Sequence, residues 1–275
     1  LLVDRNGVLL NNDHPIYIRA TQVMADAEAQ PLGLPAPDLL KPVSPEEALR
    51  LNAARALDSR PDKPAMAFKF PKITSDAGGR ALLCLTQAIY YEAANEPVDG
   101  QRAVAQVVLN RVRSSAYPNS VCGVVYQGSE RTTGCQFSFT CDGSMIRQPL
   151  RSLWAQAQLI AFQALKGYVY APVGHATHYH ADYVSPYWAD NMDKKLQIGR
   201  HIFYRLRGTA GDSLSFNQKY AGAEPLPLTS SEAKTASDIV ASLNNEVAMT
   251  PYGNDALSND IEIPLIAADR LGSKP

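Results

Sequence analysis

A helical pattern of apolar residues that ends in a glutamate constrains this chain more than any other feature of its sequence. Leu85, Ala88 and Ile89 recur at the i, i+3, i+4 spacing of a buried helical stripe, and Glu92 occupies the next position on that stripe. Because an ionised carboxylate is costly to remove from water, a glutamate among apolar neighbours is biased towards its protonated form, which suits a general acid. The alternative is that Glu92 lies in the last turn before Pro97 and points into solvent. The spacing alone does not separate these two interpretations.

The distribution of charged and aromatic residues divides the chain of 275 residues into three parts. Residues 80–208 hold 13 Lys and Arg against 8 Asp and Glu, both tryptophans and 10 of the 13 tyrosines, whereas residues 209–275 hold 4 basic and 9 acidic residues. We therefore expect a compact domain at 80–208, an N-terminal arm at 1–79 with one helix and an extended strap, and an acidic, partly disordered C-terminal arm at 209–275. No stretch approaches the ~18 apolar residues of a membrane span, so we expect any export signal or anchor to have been removed or to lie upstream.

Local patterns place helices and short strands along the chain. Ser44-Pro45-Glu46-Glu47 is a capping box that begins a helix running through Ala56, and Asp99 is the expected cap of a helix that ends near Ser114. The other expected elements are helices at 79–95, 150–166 and 231–244, a short apolar element at 121–126, a surface strap at 61–75, and strands at 136–140, 176–180 and 201–206. This helix-rich order with a small sheet predicts the α+β class.

All four cysteines, Cys84, Cys122, Cys135 and Cys141, lie inside the middle part of the chain. An even number of cysteines in one domain indicates disulfides and an oxidising compartment. Three pairings are possible, and Cys84 with Cys122 and Cys135 with Cys141 is the simplest of them. The alternative is four buried, reduced thiols.

Several motifs in the middle of the chain occur together in a known family. They are the run Gln87 to Pro97, the run Gly100 to Val112 that ends in Leu109-Asn110-Arg111-Val112, the pairs Tyr117-Pro118 and Asp142-Gly143, and the segments Gly123 to Gln127, Gln136 to Ser138 and Ala176 to His180. In these motifs the chain resembles the spore-cortex-lytic, SleB-type cell wall hydrolases over about 80–208. Relatives with the His-Tyr-His and cysteine-rich variants resemble envelope enzymes of Gram-negative bacteria.

The resemblance implies a fold, a reaction and a location. Glu92 aligns with the catalytic acid of the family, whose fold is lysozyme-like and related to lytic transglycosylases. The implied reaction cleaves the β-1,4 bond between N-acetylmuramic acid and N-acetylglucosamine in peptidoglycan, without a cofactor or metal. The implied location is the periplasm or cell envelope. The chain departs from well-known members at Tyr91, where many have glycine, and in its cysteines.

Glycosidic cleavage requires a proton for the leaving oxygen and stabilisation of a cationic centre, and many enzymes use a second carboxylate for the latter. Glu96 lies one turn after Glu92 but beside Pro97, which favours a role in holding the corner of the chain, although it is kept among the candidate substrate contacts. Asp142 is a further candidate, although a turn cap is the simpler interpretation. A single acid/base fits the lytic transglycosylase route, while attack by water would make the protein a muramidase.

Aromatic and amide side chains are expected to line the glycan groove. We expect Tyr91, Tyr179, Tyr183, Tyr187 and Trp188 to stack on sugar faces, and Gln136, Ser138 and His180 to form hydrogen bonds with the substrate. Trp154 and Tyr204 have the periodicity of core residues. The excess of basic residues in the middle part would attract an anionic polymer such as peptidoglycan, but it is too sparse to indicate nucleic acid.

Two other functions are open at this point. His175, His178 and His180 include two imidazoles on one strand face, which is a possible zinc site of a peptidoglycan amidase or peptidase. The chain lacks the helical HExxH motif that would strengthen this interpretation. The other possibility is a non-catalytic peptidoglycan-binding protein whose arms dock to envelope partners. The sequence leaves the oligomeric state open.

Overall fold

The computed structural model describes residues 39–60, 62–130 and 134–225. In these ranges the chain forms five α-helices, α1 (Pro45–Ala54), α2 (Asp76–Ala93), α3 (Val98–Arg113), α4 (Val121–Val125) and α5 (Arg151–Leu165), and three strands, β1 (His178–Ala181), β2 (Met192–Ile198) and β3 (His201–Leu206). The prediction of a helix-rich α+β protein with a small antiparallel sheet is confirmed. No helix in the described part of the chain is long and apolar enough to cross a membrane.

Helix α2 forms the centre of the main core. Its N-cap Ser75 accepts a hydrogen bond from the Gly78 amide, and the buried side chains of Leu82, Leu85 and Ile89 pack against α3 and α5. The apolar periodicity that predicted this helix is therefore the stripe that it buries.

Helix α3 begins two residues earlier than a cap at Asp99 would place it. Pro97 occupies the N-cap position without a side-chain hydrogen bond, and the carboxylate of Asp99 instead accepts from Arg102 Nη1 at 3.1 Å within the first turn. The prediction that Asp99 caps this helix is wrong, because the rigid backbone of the proline already sets the start of the helix. The predicted end near Ser114 is confirmed.

The three strands form one antiparallel sheet in the order β1-β3-β2. On its inner face, Tyr179 and Phe203 pack towards α2 and α3, where Phe203 joins Ala93 and Val104 in one cluster. On its outer face, Ile202 and Tyr204 pack under Trp188. Because neighbouring strand residues point to opposite faces, Tyr179 and His180 lie on different sides of the sheet.

The strand predicted at 136–140 is wrong. Ser138–Thr140 forms a short 3-10 helix, because the Cys135–Cys141 disulfide holds the two Cα atoms only 6.5 Å apart. Six residues of extended chain would span about 20 Å. The second disulfide joins Cys84 to Cys122 between α2 and α4, so the simplest of the three predicted pairings is confirmed.

The segment before α2 covers the outer side of the sheet. Helix α1 is capped by Ser44 as predicted but ends at Ala54 rather than Ala56, because Arg55 adopts an extended conformation. Asn52 Nδ2 donates to the carbonyl oxygens of Asp182 (2.7 Å) and Val184 (2.8 Å). Lys194 Nζ donates to the carbonyl oxygen of Asn52 at 2.7 Å, so strand β2 closes the C-terminal end of this helix.

The described part of each flanking arm packs against the middle of the chain. In the strap, Phe68 is buried in the main core and the Phe70 amide donates to the Leu165 carbonyl. After the sheet, Gln218 Nε2 lies within hydrogen-bond distance of carbonyl oxygens at the end of α3, and the Glu224 carboxylate accepts from the first amides of α4. The predicted helix at 231–244 lies outside the described residues, as do residues 1–38.

Candidate active site

Glu92 lies in the last turn of α2 and points towards the inner face of the sheet. Its Oε2 accepts a hydrogen bond from the Tyr179 hydroxyl at 3.0 Å. The side chain is half-buried, so part of it remains open to solvent. Burial raises the pKa of Glu92 to about 7 and outweighs the hydrogen bond from Tyr179 and the charge of Arg111, which both lower it, while the charge of Asp142 raises it further. At neutral pH this carboxyl is therefore able both to give and to take a proton.

Tyr179 fixes the orientation of the Glu92 carboxyl. Its ring packs against Phe203 and His201 on the inner face of the sheet. Burial, together with the neighbouring Glu92, holds the pKa of the Tyr179 hydroxyl well above its usual value, so the group stays protonated and donates. One carboxylate oxygen of Glu92 is occupied in this way, and no other described residue donates a hydrogen bond to this carboxyl.

A buried arginine, Arg111 of α3, lies beside this pair. Its Nε donates to the Thr177 carbonyl at 2.7 Å, and its guanidinium lies 5.3 Å from the ring centres of both Tyr117 and Phe137. With its amide oxygen turned towards the guanidinium, Gln136 accepts from Arg111 Nη1 (3.0 Å) and Nη2 (3.3 Å). Arg111 belongs to the Leu109-Asn110-Arg111-Val112 motif but is not among the site residues predicted from the sequence.

The loop closed by Cys135 and Cys141 forms another side of the site. Phe139 stacks on Tyr91 with 4.8 Å between ring centres, and Ser138 is exposed. Asp142 Oδ1 accepts from the Ser144 amide at 2.8 Å, which is the predicted turn cap. Burial raises the pKa of Asp142, but the hydrogen bonds from Ser144 and Ser138 outweigh it and hold the pKa below its usual range.

Residues 95–204 match the family model described as Cell Wall Hydrolase. This match begins three residues after Glu92. The spore cortex-lytic enzyme of Bacillus subtilis (strain 168) is 32% identical over 145 residues, which are 51% of this chain and 44% of that enzyme. The spore cortex-lytic enzyme of Halalkalibacterium halodurans is 34% identical over 120 residues, which are 43% of this chain and 33% of that enzyme. The chain thus spans less than half the length of these curated relatives.

A solved structure, the catalytic domain of the Bacillus cereus SleB protein, is 31% identical in sequence, with 46% of this chain and 90% of that domain covered and a TM-score of 0.38. Residues 95–204 thus match a cell wall hydrolase domain and are similar in sequence to the SleB-type enzymes. The catalytic domain of SleB from Bacillus anthracis, described as a germination-specific lytic transglycosylase, is also 31% identical, with 94% of that domain covered and a TM-score of 0.38.

Glu96 is hydrogen-bonded to the turn between β2 and β3, whereas Glu92 is hydrogen-bonded to Tyr179. Glu96 Oε2 accepts from the Arg200 amide at 3.0 Å and lies against Gly199 in that turn. Gly199 has a φ of +53°, and a Cβ at that position would collide with Glu96 Oε2. Glu96 therefore holds the corner of the chain, as its place beside Pro97 indicates, and its contact with substrate stays a prediction.

The predicted sugar contacts by His180 and Trp188 are wrong. Both side chains are buried on the outer face of the sheet, where the His180 ring stacks on Tyr204 and its Nε2 lies 2.9 Å from the Tyr204 hydroxyl. Tyr187 is exposed next to Lys41 of the N-terminal segment, with Lys41 Nζ 5.9 Å from its ring centre. Together with Glu96, four of the predicted contact residues thus contact other parts of the protein, whereas Tyr91, Gln136, Ser138 and Tyr179 belong to the segments around Glu92.

Trp154 and Tyr204 differ in their burial. Tyr204 is fully buried, as predicted for a core residue, but Trp154 is only half-buried and contacts Tyr90 at the edge of the core.

The three histidines of the 175–180 segment do not converge. His175 Nδ1 pairs with Asp62 Oδ1 at 3.1 Å, His178 Nδ1 lies 3.0 Å from Thr177 Oγ1, and His180 contacts Tyr204. Among the described residues, no group of three His, Cys, Asp or Glu side chains is placed to hold a metal ion. The strand places His178 and His180 on one face, but each side chain already has a protein partner.

Proposed function

We propose that this protein cleaves the glycan strand of peptidoglycan at the N-acetylmuramic acid–β-1,4–N-acetylglucosamine bond, with Glu92 as the single general acid and base. The observation that carries the proposal is the half-buried Glu92 carboxyl, whose pKa is raised to about 7 and whose orientation is fixed by the Tyr179 hydroxyl. The family match supports peptidoglycan as the substrate. The two disulfides support a location outside the cytoplasm.

The reaction begins when protonated Glu92 donates its proton to the bridging oxygen. The bond between that oxygen and C1 of the muramyl residue breaks, the N-acetylglucosamine residue leaves with a free 4-hydroxyl, and positive charge develops at C1. The muramyl 6-hydroxyl then attacks C1 and gives its proton to the Glu92 carboxylate. The product is a 1,6-anhydromuramyl end, no water is consumed, and Glu92 returns to its starting state.

The surroundings of Glu92 favour this route over one with a protein nucleophile. Glu96 is bound to the turn after β2, and Asp142 is exposed and caps its own turn. Neither described carboxylate is positioned as a partner across a sugar ring. The attacking group is therefore expected to come from the substrate itself, with the N-acetyl group of the sugar available to assist.

The masses of the products test this proposal directly. Purified sacculi digested with the protein should release muropeptides that end in 1,6-anhydromuramic acid, which mass spectrometry distinguishes from reducing ends by the mass of one water. Reducing ends alone would show that water, rather than the 6-hydroxyl, captures the intermediate. Release of peptides or amino acids from intact glycan strands would contradict glycan cleavage altogether.

Replacing Tyr179 by phenylalanine should move the alkaline limb of the pH–activity profile upwards. The proton donor is active while Glu92 is protonated, so kcat/KM of the parent should be constant at low pH and should fall as pH rises through about 7. The Tyr179 hydroxyl stabilises the ionised carboxylate. Loss of this hydroxyl should raise the Glu92 pKa, and with it the pH at which kcat/KM falls, by about one unit. A limb unchanged in Tyr179→Phe would show that this hydrogen bond does not control the proton of Glu92.

A further inference from the structure

Arg111 is a buried cation without a carboxylate partner. Arg111 is only 3% exposed. Among the described residues, no Asp or Glu oxygen lies within 4.0 Å of its guanidinium. Its contacts are neutral groups, namely the Thr177 carbonyl, the Gln136 amide oxygen and two aromatic rings. A buried charge is costly unless an opposite charge compensates it. The position therefore requires an explanation other than packing.

Another buried arginine of this chain shows what a structural role looks like. Arg205 of β3 is also almost completely buried, but its guanidinium forms ion pairs with Asp58 (2.8 Å) and Asp62 (3.4 Å). Its charge is compensated permanently by carboxylates from the segment before α2. Within the described part of the chain Arg111 has no such partner, and Glu92 is a carboxyl on which its charge acts.

The guanidinium of Arg111 is held at the start of β1, the strand that carries Tyr179, and its charge acts on the Glu92 carboxyl. Arg111 is hydrogen-bonded to the carbonyl of Thr177, which lies two residues before Tyr179 at the start of β1. Three groups from three elements act on the Glu92 carboxyl, namely Tyr179 from β1, Arg111 from α3 and Asp142 from the loop after Cys141. The first two favour the ionised carboxylate, and Asp142 opposes it.

We propose that Arg111 is a positioning residue of the reaction whose fixed positive charge stabilises the Glu92 carboxylate during the part of the cycle in which its proton is on the leaving sugar. This inference rests on the proposed function. Before the proton is transferred, Glu92 is neutral and Arg111 is uncompensated. After the transfer, the two charges compensate each other without rearrangement, because Thr177, Gln136, Tyr117 and Phe137 already hold the guanidinium in place.

The test is the titration of Glu92 in variants that change one charge each. In Arg111→Met, which keeps an apolar side chain for the two rings, the Glu92 pKa and the alkaline limb of kcat/KM should both rise by about one unit, with kcat about tenfold lower. Arg111→Lys keeps the charge and should remain close to the parent. Asp142→Asn removes the opposing charge at an exposed position and should move both quantities downwards. Arg113→Gln, which removes a positive charge two residues along α3, is the matched control and should leave both unchanged.

The Glu92 pKa is measured by 13C NMR of the side-chain carboxyl, independently of activity. If Arg111→Met is folded and leaves this pKa unchanged, or if Arg113→Gln moves it as far, the inference is wrong. If Arg111→Met does not fold, an unchanged Glu92 pKa in Asp142→Asn overturns it, because nearby charges then do not control the carboxyl. A parent protein that fails to cleave sacculi would contradict the proposed function, whereas an active parent with an unresponsive Glu92 would contradict only the role of Arg111.

Discussion

Glu92→Gln is expected to lower the rate of glycan cleavage by roughly 10²–10⁴-fold, the usual contribution of a general acid. Glutamine has the same shape as protonated glutamic acid and can accept the hydrogen bond from the Tyr179 hydroxyl, which lies 3.0 Å from Glu92 Oε2. It has no transferable proton at neutral pH, so the leaving oxygen would depart without protonation. The loss should appear in kcat as well as in kcat/KM, measured by release of soluble muropeptides from purified sacculi.

The matched control for this variant is Glu96→Gln, the same change one helical turn later. Because Glu96 contacts the turn between β2 and β3 rather than the site, this variant should keep most of the activity and lose some thermal stability. Circular dichroism should show that Glu92→Gln retains the parent fold, and removal of a buried ionisable group is expected to leave its melting temperature equal or higher. Digestion of sacculi by Glu92→Gln at the parent rate would remove Glu92 from the mechanism.

Loss of the Cys84–Cys122 disulfide is expected to destabilise the protein strongly. The bridge joins cysteines 38 residues apart, and the chain-entropy relation for a loop of that size gives about 4 kcal/mol of stabilisation. Both cysteines are buried between α2 and α4. Replacing both by alanine should therefore lower the melting temperature by roughly 8–16 °C, measured by calorimetry.

The other disulfide is the natural comparison for this experiment. Cys135 and Cys141 are 6 residues apart, and the same relation gives about 2 kcal/mol, so the double alanine variant should lose about half as much stability. Its activity should nevertheless fall further, because the loop it closes carries Gln136 against Arg111 and Phe139 against Tyr91. Equal losses of stability in the two variants, or greater loss of activity in the Cys84–Cys122 variant at a temperature where both are folded, would contradict this division of roles.

Periodicity located the long helices because a helix buried along one stripe carries that stripe in its own sequence. The same reasoning singled out Glu92, which interrupts the stripe of α2. It would also have singled out Arg111, which follows Val104, Val107 and Val108 on the buried side of α3. A charged residue on an apolar stripe thus marks both Glu92 and Arg111, although only Glu92 was predicted as a site residue.

Strand β2 could not be predicted in this way, because its sequence contains buried charges whose partners lie far away along the chain. Lys194 donates to the Asn52 carbonyl, and Lys195 Nζ lies 3.4 Å from Asp58 and 3.8 Å from Asp62. Nothing within Met192–Ile198 records these partners. The error at His180 has a related cause, since alternation shows that two neighbours point to opposite faces but not which face meets the helices.

Helix α1 and the segment after it cover the outer side of the sheet. These contacts determine where the chain can be shortened. A recombinant fragment cut at residue 80 would lack Asp58 and Asp62, the counterions of Arg205 and Lys195, and would leave the carbonyls of Asp182 and Val184 without the amide of Asn52. Truncation at residue 80 would therefore yield an insoluble or unfolded product, even though every residue around Glu92 would still be present.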